Sequence, residues 1–471
     1  MSGPLRPVSL ARALLRRLSP IQAVALSFLV LIGVGTALLS LPISQQPGER
    51  VGLLDCLFTA TSAACVTGLV TVSTADAWTR FGQVVILVLI QVGGLGYMTL
   101  ATIIATMLGL RVGLRARLQL QESHGALSLR SAVSMARYAA IATFLIEGMG
   151  AVALARRFHI QHHLPRGEAV FHGIFNSVSA FCNAGFDLVP GFEGFSRPEY
   201  RTDLFLLLAT SGLIILGGLG FGVLAELFVL PRVRRLTLHA KLVLCVTAVL
   251  LAGGMGLFLL FELENPATLG ALPDLRTQLA NAWFMSVTPR TAGFSPVDLS
   301  QVAPPTLLLL SLLMIFGGAP GSTAGGIKIT TLAIIFLAVL ALLRRRSDIE
   351  AFGRRVSGDM SRLALSLTAV YLLAVLLIGL AVGLIEVTLP RLPLTPETAL
   401  RYNYLLFEVI SAFGTVGLSG GITPTLTPLS RALIIFSMFL GRLGPLAFAF
   451  TFARPRAAAL RRLPEEGVMA G

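Results

Sequence analysis

Charged residues are scarce in this chain of 471 residues, and their scarcity excludes an ordinary water-soluble fold. Only 13% of the residues are Asp, Glu, Lys or Arg, whereas soluble domains average about 25%. Hydrophobic residues make up 55%, and the mean hydropathy is +0.82. A helix needs about 20 apolar residues to cross a bilayer, and apolar runs of this kind recur from residue 22 to residue 453. The composition therefore predicts a polytopic α-helical membrane protein.

Residues that carry catalysis or bind metals are few and poorly spaced. The four cysteines form no CxxC pair, so a thiolate metal site is not expected. The sequence contains no Walker-type phosphate loop, no Ser/His/Asp set and no paired acids in a cleft. His159, His162 and His163 have metal-like spacing, but their arginine-rich surroundings favour a solvated polar turn. We therefore expect neither an enzyme nor a covalently bound cofactor.

Lysine is almost absent, since 35 of the 37 basic residues are arginine, and the net charge is +14. No basic stripe lies on a soluble domain, so nucleic-acid binding is not expected. The arginines instead cluster at the termini and between predicted repeats, which by the positive-inside rule places both termini and these linkers in the cytoplasm. The clusters are Arg6, Arg12, Arg16 and Arg17; Arg111, Arg115, Arg117 and Arg130; Arg232, Arg234 and Arg235; Arg344, Arg345, Arg346, Arg354 and Arg355; and Arg454, Arg456, Arg461 and Arg462.

Apolar segments long enough to span a membrane alternate with shorter, more polar ones. The first, Ile21 to Leu41, lacks a signal-peptide cleavage site and is interpreted as a span. The eight long segments are 22–42, 79–109, 132–155, 203–230, 238–262, 304–343, 361–387 and 429–453. The short segments 52–65, 168–182, 275–288 and 399–413 are each expected to form a helix of about three turns that enters the membrane and stops.

Each short segment is followed by a loop with glycine in its third position. These glycine loops are Val66, Thr67, Gly68 and Leu69; Asn183, Ala184, Gly185 and Phe186; Thr291, Ala292, Gly293 and Phe294; and Thr415, Val416, Gly417 and Leu418. Their recurrence predicts an all-α integral membrane protein with four pseudo-repeated helix–pore-loop–helix units around one central pore. The predicted divisions are a cytoplasmic N-terminus (1–20), four repeats (21–110, 131–231, 237–344 and 360–453) and a cytoplasmic C-terminus (454–471).

The chemistry of the glycine loops points to a monovalent cation. Glycine reaches backbone conformations that other residues avoid, so successive carbonyl oxygens can face one axis and replace the water around an ion. The partly negative C-termini of the short helices favour a cation there. None of the loops contains a carboxylate, which argues against a divalent ion. We therefore predict a selectivity filter for K⁺.

A second repeated element lies in the span after each loop. Its copies are Gly93-Gly94-Leu95-Gly96, Gly217-Gly218-Leu219-Gly220, Gly317-Gly318-Ala319-Pro320 and Gly441-Arg442-Leu443-Gly444. In the first two copies, glycine permits close helix packing. The third copy opens the run Gly317, Gly318, Ala319, Pro320, Gly321, Ser322, Thr323, Ala324, Gly325 and Gly326. This composition should interrupt the helix, either as a simple kink or as an unwound gate loop below the filter.

Arg442 replaces the glycine found in the other copies of this element. A lone cation at mid-membrane depth is costly, so we expect Arg442 to form a positive barrier beside the pore and to brace the gate loop. Lys328 is expected either in the inner vestibule or reaching toward the cytoplasm. Glu408 and Asn176, each nine residues before a loop glycine, are expected to brace the short helices.

These motifs resemble those of the Trk/Ktr/HKT potassium-transporter superfamily. TSAACVTGLV, SAFCNAGFD, TPRTAGFS and SAFGTVGLSGG resemble its four filters, and GGAPGSTAGGIKITT and GRLGPLAF resemble its third- and fourth-repeat inner helices. The first predicted span begins near residue 21, as in the Ktr membrane subunit rather than the Trk protein. Glycine in all four filters, including Gly68, resembles the K⁺-selective branches, because the Na⁺-preferring plant branch carries serine in the first.

The resemblance implies K⁺ uptake across a bacterial plasma membrane through a filter gated by 317–326. It also implies a homodimer on a cytosolic ring of RCK-type regulatory subunits, with any ATP or ADP bound only by that partner. One alternative is a Na⁺- or H⁺-coupled K⁺ symporter of the Trk type. A remote alternative is a multipass membrane enzyme.

Overall fold

The structure is a computed structural model, and it describes residues 20–48, 50–95, 129–233, 235–346, 348–388 and 395–444. These residues are mostly helical. The arginine clusters of both termini and the predicted span ends at 96–109 and 445–453 lie outside them.

The first unit contains two helices on either side of a short one. Helix α1 spans Pro20–Leu39, α2 spans Leu53–Ala64 and α3 spans Arg80–Gly94. A one-turn helix, Thr74–Ala77, precedes α3. The hydroxyl of Thr79 accepts from the Gly82 amide and caps α3, which satisfies one of the free donors at a helix start.

The second unit differs from the sequence prediction in its last span. Helix α4 spans Leu129–Ile160, α5 spans Arg166–Phe181, and a short helix covers Pro198–Arg201. The predicted segment 203–230 is two helices, α6 at Leu204–Gly218 and α7 at Phe221–Val233, bent by 103°. The predicted span 203–230 is therefore a broken one, and its bend was not predicted from the sequence.

The bend between α6 and α7 combines a local glycine conformation with a bond to a distant segment. Gly220 lies in the left-handed region at φ 85°, which a continuing helix does not permit. The amide of Phe221 donates to the Gly321 carbonyl at 3.2 Å instead of bonding within its own helix. The left-handed conformation of Gly220 thus ends the helical bonding and leaves the Phe221 amide to bond to Gly321.

The third unit contains a wider interruption. Helix α8 spans Leu238–Glu262, α9 spans Leu275–Val287, α10 spans Pro304–Ile315 and α11 spans Ile329–Leu343. The predicted segment 304–343 is thus divided by the non-helical residues 316–328. The backbone there closes on itself, since Gly317 N donates to Ile327 O at 2.9 Å and Ile327 N to Ile315 O at 3.2 Å.

A short β-hairpin separates the third and fourth units, although the described residues are mostly helical, as the predicted all-α class requires. Strand β1, Ile349–Ala351, pairs antiparallel with β2, Arg354–Val356. Phe352 and Gly353 both have positive φ, at 52° and 71°, the pattern of a tight two-residue hairpin turn.

The fourth unit contains helix α12 at Gly358–Gly383, which continues as a π-helix at Leu384–Thr388. Helix α13 spans Pro396–Gly414, and α14 spans Pro428–Leu443. The remaining connections carry single 3₁₀ turns at Pro42–Ser44, Gly194–Ser196, Leu269–Ala271, Leu299–Gln301 and Thr423–Thr425.

Several helices can cross a bilayer by length and composition. In the described ranges, four qualify singly: Gln22–Leu39, Arg137–Ile160, Leu238–Glu262 and Gly358–Thr388. The bent pair α6–α7 qualifies as a fifth span, while α3, α10 and α11 are apolar but shorter. Large apolar side chains such as Val152 and Leu260, each 73% exposed, cover the outside of these helices, as expected for a surface in contact with lipid. The count of eight spans stays a prediction.

Polar contacts join each unit to the next and the fourth to the first. The guanidinium of Arg80 pairs with Glu168 and lies 4.3 Å from the Phe171 ring. Further contacts run from Asn281 Nδ2 to Arg201 O at 2.8 Å, from Tyr404 Oη to Leu299 O at 3.2 Å, and from Arg431 Nη1 to Asp55 Oδ1 at 2.6 Å. The four units therefore form a closed circle.

Candidate functional site: a ring of four glycine loops

The four glycine loops share one backbone conformation. Their first residues lie in the left-handed region, with φ of 56°, 60°, 69° and 51° at Val66, Asn183, Thr291 and Thr415. Their glycines, two residues later, have φ of 92°, 71°, 83° and 94°. A non-glycine residue with positive φ is uncommon, and for a β-branched residue it is an outlier. Three of the four first residues are β-branched, so the surrounding structure holds this conformation against a local cost.

The glycines close the loops into a ring in chain order. A Cβ placed on Gly68 would overlap the Ala184 carbonyl oxygen of the second loop. The same relation runs from Gly185 to Ala292, from Gly293 to Val416 and from Gly417 to Thr67. That Cβ position would lie only 3.0, 3.0, 3.2 and 3.1 Å from the Cα of the next loop's glycine. Each loop thus needs glycine because the next loop's backbone fills the space a side chain would take.

Each short helix ends just before its loop. Helices α2, α5 and α13 end at Ala64, Phe181 and Gly414, within two residues of the loop. Helix α9 ends earlier, at Val287, and Pro289 follows in the sequence. Because proline has no amide hydrogen, it cannot extend the helical bonding. The partly negative C-termini of all four helices therefore lie beside the ring.

Hydroxyl groups brace the loops in two different ways. In the first and fourth loops, the glycine amide donates to a serine hydroxyl: Gly68 N to Ser62 Oγ at 3.0 Å and Gly417 N to Ser411 Oγ at 3.1 Å. In the second and third, a hydroxyl donates to the carbonyl after the glycine: Ser179 to Phe186 and Thr288 to Phe294, both at 2.6 Å. The ring therefore has two kinds of support.

The segment 317–326 lies against the ring and contacts the second unit most extensively. Ala319 N donates to Gly218 O at 2.9 Å and Thr323 N to Gly217 O at 3.3 Å. The Thr323 hydroxyl lies 3.1 Å from Phe181 O, as a donor, and 3.2 Å from Asn183 Oδ1. On the fourth unit, a Cβ on Gly325 would overlap the Thr415 hydroxyl. The segment thus connects the third unit to residues at the start of the second and fourth loops.

Arg442 joins this segment to the first unit. Its Nη1 donates to Thr323 O at 2.6 Å, and its Nη2 donates to Gly93 O. Gly93 is the first glycine of the repeated element in α3, and it packs directly against the Ala64 carbonyl at the end of α2. A single guanidinium therefore links the first, third and fourth units.

Lys328 lies at the start of α11, immediately after this segment. Its Nζ donates to Ala324 O at 2.7 Å, so the ammonium group turns back onto the segment. The inner vestibule and the cytoplasmic side both stay predictions for the position of this side chain.

Glu408 and Asn176, each nine positions before a loop glycine, make different hydrogen bonds. Glu408 Oε1 accepts from Ser419 Oγ at 2.5 Å and from Gly420 N at 3.1 Å, and Oε2 accepts from Thr423 Oγ1 at 2.8 Å. Glu408 therefore holds the chain that follows the fourth loop. Among the residues that the structure describes, Asn176 donates to His172 O within its own helix.

One histidine of the second unit, His162, holds the start of α6. His162 Nε2 lies 2.9 Å from Asp203 Oδ2, and Arg157 Nε donates to the same oxygen at 2.7 Å. In the described ranges, no three His, Cys, Asp or Glu residues form a group that could hold a metal ion.

Glu147 in α4 is a buried acid that the motifs and spacings of the sequence did not indicate. Its side chain is 4% exposed and accepts from Gln91 Nε2 of α3 at 3.2 Å and from the Cys182 thiol at 3.5 Å. The available signal was an acid near the middle of the apolar segment 137–160, because ionisable residues inside spans are usually functional.

Comparison with known proteins identifies the family to which this chain belongs. Residues 15–461 match the family model TrkH, described as a cation transport protein. The chain belongs to the TrkH cation transport family. The TrkH family is a family of cation transporters and not of enzymes. Its membership in this family and its apolar helices make the chain a multipass membrane protein.

Similar proteins within the TrkH family cover almost the whole chain. The potassium/sodium uptake protein NtpJ of Enterococcus hirae is 40% identical over 97% of this chain and 98% of its own length. The Ktr system potassium uptake protein B of Bacillus subtilis is 36% identical over 97% of both chains. Among solved structures, the potassium transporter TrkH from Vibrio parahaemolyticus has the same fold, with a TM-score of 0.69 at 18% identity over 92% of this chain and 85% of its own.

Proposed function

We propose that this chain is the potassium-selective, ion-translocating subunit of an uptake system in a bacterial plasma membrane. The observation that carries the proposal is the closed ring of four glycine loops with a common φ pattern. Relatives that the chain matches over nearly all of its length are named as potassium uptake proteins.

The proposed filter consists of the backbone carbonyls of Val66–Leu69, Asn183–Phe186, Thr291–Phe294 and Thr415–Leu418. A ring of carbonyl dipoles can replace the hydration shell of K⁺ without a formal negative charge, so the ion binds and still leaves. The surrounding helix C-termini add a negative partial charge. The hydroxyls of Thr291 and Thr415 are buried and have no hydrogen-bond partner in the described ranges, so they are free to face an ion or its water.

The proposed gate is the segment Gly317–Gly326, with Arg442 as a barrier. Its backbone lies against the ring and is held by Gly217, Gly218 and Arg442. Glycine-rich, non-helical backbone at this depth is tolerated where it lines a water-filled path. A cation leaving the filter would therefore meet both this segment and the guanidinium.

The proposed membrane arrangement has four repeats of two spans, with glycine loops opening outward and both termini in the cytoplasm. The exposed arginines near the hairpin, including Arg354 and Arg355, support a cytoplasmic position for that linker. We further propose a homodimer regulated by a cytosolic ring of RCK-type subunits, which would bind any nucleotide.

The second candidate is a K⁺ symporter coupled to Na⁺ or H⁺. It is supported by the name of the Enterococcus hirae relative, which includes sodium. A channel-like subunit passes K⁺ without a second ion, whereas a symporter carries Na⁺ or H⁺ together with K⁺. The two therefore differ in whether K⁺ flux needs Na⁺ or is accompanied by movement of Na⁺ or H⁺.

The function is tested by complementation and then by flux. Expression should restore growth of a K⁺-uptake-deficient bacterium at low K⁺, and Gly68→Ser should weaken that rescue or its selectivity over Na⁺. Purified protein in liposomes should then pass K⁺ without another gradient. Rescue that fails with well-folded protein in the membrane contradicts K⁺ uptake, and flux that needs Na⁺ or H⁺ supports the symporter.

A further inference from the structure

The junction of the first and second units buries a carboxyl group that the proposed filter and gate do not use. Glu147 lies in α4 and is 4% exposed, and its Oε1 accepts from Gln91 Nε2 and Cys182 Sγ. Its own carbonyl accepts from the Ser177 hydroxyl of α5 at 2.7 Å. The second carboxylate oxygen, Oε2, accepts no hydrogen bond from the residues described.

No positive charge compensates this carboxyl among the described residues. On α3 its neighbour is the neutral Gln91, and beside α5 its neighbours are Ser177 and the thiol of Cys182. Arg442 acts electrostatically on Cys182, and its guanidinium donates to Thr323 O and Gly93 O rather than to the carboxyl. Burying an ionised carboxylate without a partner is costly, so a group at this position takes up a proton or a cation.

The neighbours favour a proton over a metal ion. Gln91 and Cys182 both donate to the carboxyl, whereas a hard cation needs several oxygen ligands. The part of the chain that the structure describes has no group of three acidic, histidine or cysteine residues able to hold a metal. A proton needs only the carboxyl itself.

The carboxyl lies beside the ring through its contact with Cys182. Cys182 immediately precedes Asn183, the first residue of the second glycine loop, and the side chain of Asn183 lies 3.2 Å from the Thr323 hydroxyl. Gly94, in the repeated element of α3, packs directly on Cys182. A charge on Glu147 is therefore close enough to the second loop to affect a cation there.

We propose that Glu147 is a proton-binding site whose occupancy tunes the affinity of the ring for its cation. This proposal rests on the proposed K⁺ transport for its effect on flux, but not for the proton itself. Ionised Glu147 adds negative charge beside the second loop and attracts a cation. Protonation removes that charge, so lowering the pH should raise the K⁺ concentration at half-maximal uptake.

Infrared spectroscopy of the protein in liposomes tests the proton without using transport. A pH titration should reveal the C=O stretch of a buried protonated carboxyl, and Glu147→Gln should lose that band. The control Glu386→Gln changes a buried glutamate whose carboxylate accepts from Thr427 and pairs with Arg401, and it should keep the band. A band unchanged in Glu147→Gln overturns the proposal. Loss of the band on adding Na⁺ at constant pH also overturns it and assigns the site to a metal ion.

The pH dependence of K⁺ uptake tests the consequence. The half-saturating K⁺ concentration should rise severalfold in the wild type as the pH falls, while Glu147→Gln should show the low-pH value throughout. An identical pH profile in wild type and variant, with both folded by thermal unfolding, overturns the tuning role. A titrating band in a protein that passes no K⁺ leaves the proton site standing and contradicts the proposed function instead.

Discussion

At the scale of single residues, the glycine loops depend on the absence of a side chain at one position. Each loop glycine combines a positive φ with a neighbouring carbonyl oxygen where Cβ would lie. Elsewhere in the chain, a glycine can have a positive φ without a neighbouring atom at its Cβ position. Gly191 has φ of 81° but has open space around its Cβ position. The ring glycines are thus fixed by packing between loops as well as by conformation.

Replacing Gly68 with alanine should abolish selective K⁺ uptake. The added methyl group overlaps the Ala184 carbonyl, so the first two loops must separate and their oxygens no longer match one ion. Uptake of K⁺ and Na⁺ in liposomes measures the loss. Gly191→Ala is the matched control, since it has the same φ strain without the overlap, and equal loss in both variants would contradict this explanation.

Arg442→Ala should raise K⁺ flux. The substitution removes the bonds to Thr323 O and Gly93 O, and it removes a positive charge from the proposed path. The initial rate of K⁺ efflux from K⁺-loaded liposomes would measure the change. Arg276→Ala provides a control, because Arg276 is exposed and lies at the start of α9. Flux at the wild-type level in a folded Arg442→Ala protein would refute the barrier.

At the scale of elements, the spans that follow the glycine loops are interrupted in different ways. Helices α3, α6 and α14 end at Gly94, Gly218 and Leu443, all within the repeated glycine element, and α10 ends two residues before it. In the first, second and fourth units, the first glycine of the element packs on the last turn's carbonyl at Ala64, Phe181 or Phe413. In the third, Gly317 packs on Gly325 within its own segment. The third unit therefore differs from the other three at the segment 317–326.

Thr323→Val should loosen the segment 317–326 and raise flux, because valine keeps the shape but loses the hydroxyl contacts with Phe181 O and Asn183 Oδ1. A lost buried hydrogen bond costs about 1 kcal/mol, so the expected increase is about fivefold if the segment limits conduction. Liposome flux measures it, and deleting residues within 317–326 should raise flux further.

Ser322→Ala is the matched control for that experiment. The Ser322 hydroxyl is buried in the same segment but has no hydrogen-bond partner in the described ranges, so its removal should leave flux near the wild-type value. If Thr323→Val lowers flux in a folded protein, the segment supports the open path and does not close it.

At the scale of the whole molecule, the circle of four units closes where the fourth meets the first. Gly417 packs on the Thr67 carbonyl, and Arg431 pairs with Asp55 across the same junction. The two side chains of this pair are each 19% exposed. Arg431 Nε and Nη2 also donate to Leu426 O and Pro424 O, so the guanidinium is held in place for the carboxylate.

Breaking this pair should destabilise the closed circle. Asp55→Asn and Arg431→Met are each expected to lower stability by on the order of 1–3 kcal/mol, since the remaining partner is left partly buried. The double variant should cost less than the sum. Detergent-solubilised thermal unfolding measures the coupling. The exposed pair Asp359 and Arg362, 3.9 Å apart, should show none, and equal coupling in both pairs would contradict the role of the junction.

Much of this architecture could be predicted from residue type and spacing. Apolar length indicated the membrane helices, and the recurring glycines indicated the loops, because both depend on local composition. The 103° bend after Gly218 and the hairpin at 349–356 were missed. An apolar helix does not reveal a bend that depends on a bond from Phe221 to the distant Gly321.

The sequence by itself determined that this chain is a helical membrane protein in which a glycine motif recurs four times, since hydrophobic length and glycine spacing are properties of neighbouring residues. Only the tertiary structure decided how the units meet. The order of the ring, the contact of Arg442 with Thr323 and Gly93, and the burial of Glu147 beside Cys182 join residues far apart in the chain. Such contacts depend on packing between units, which the local pattern of residues does not specify.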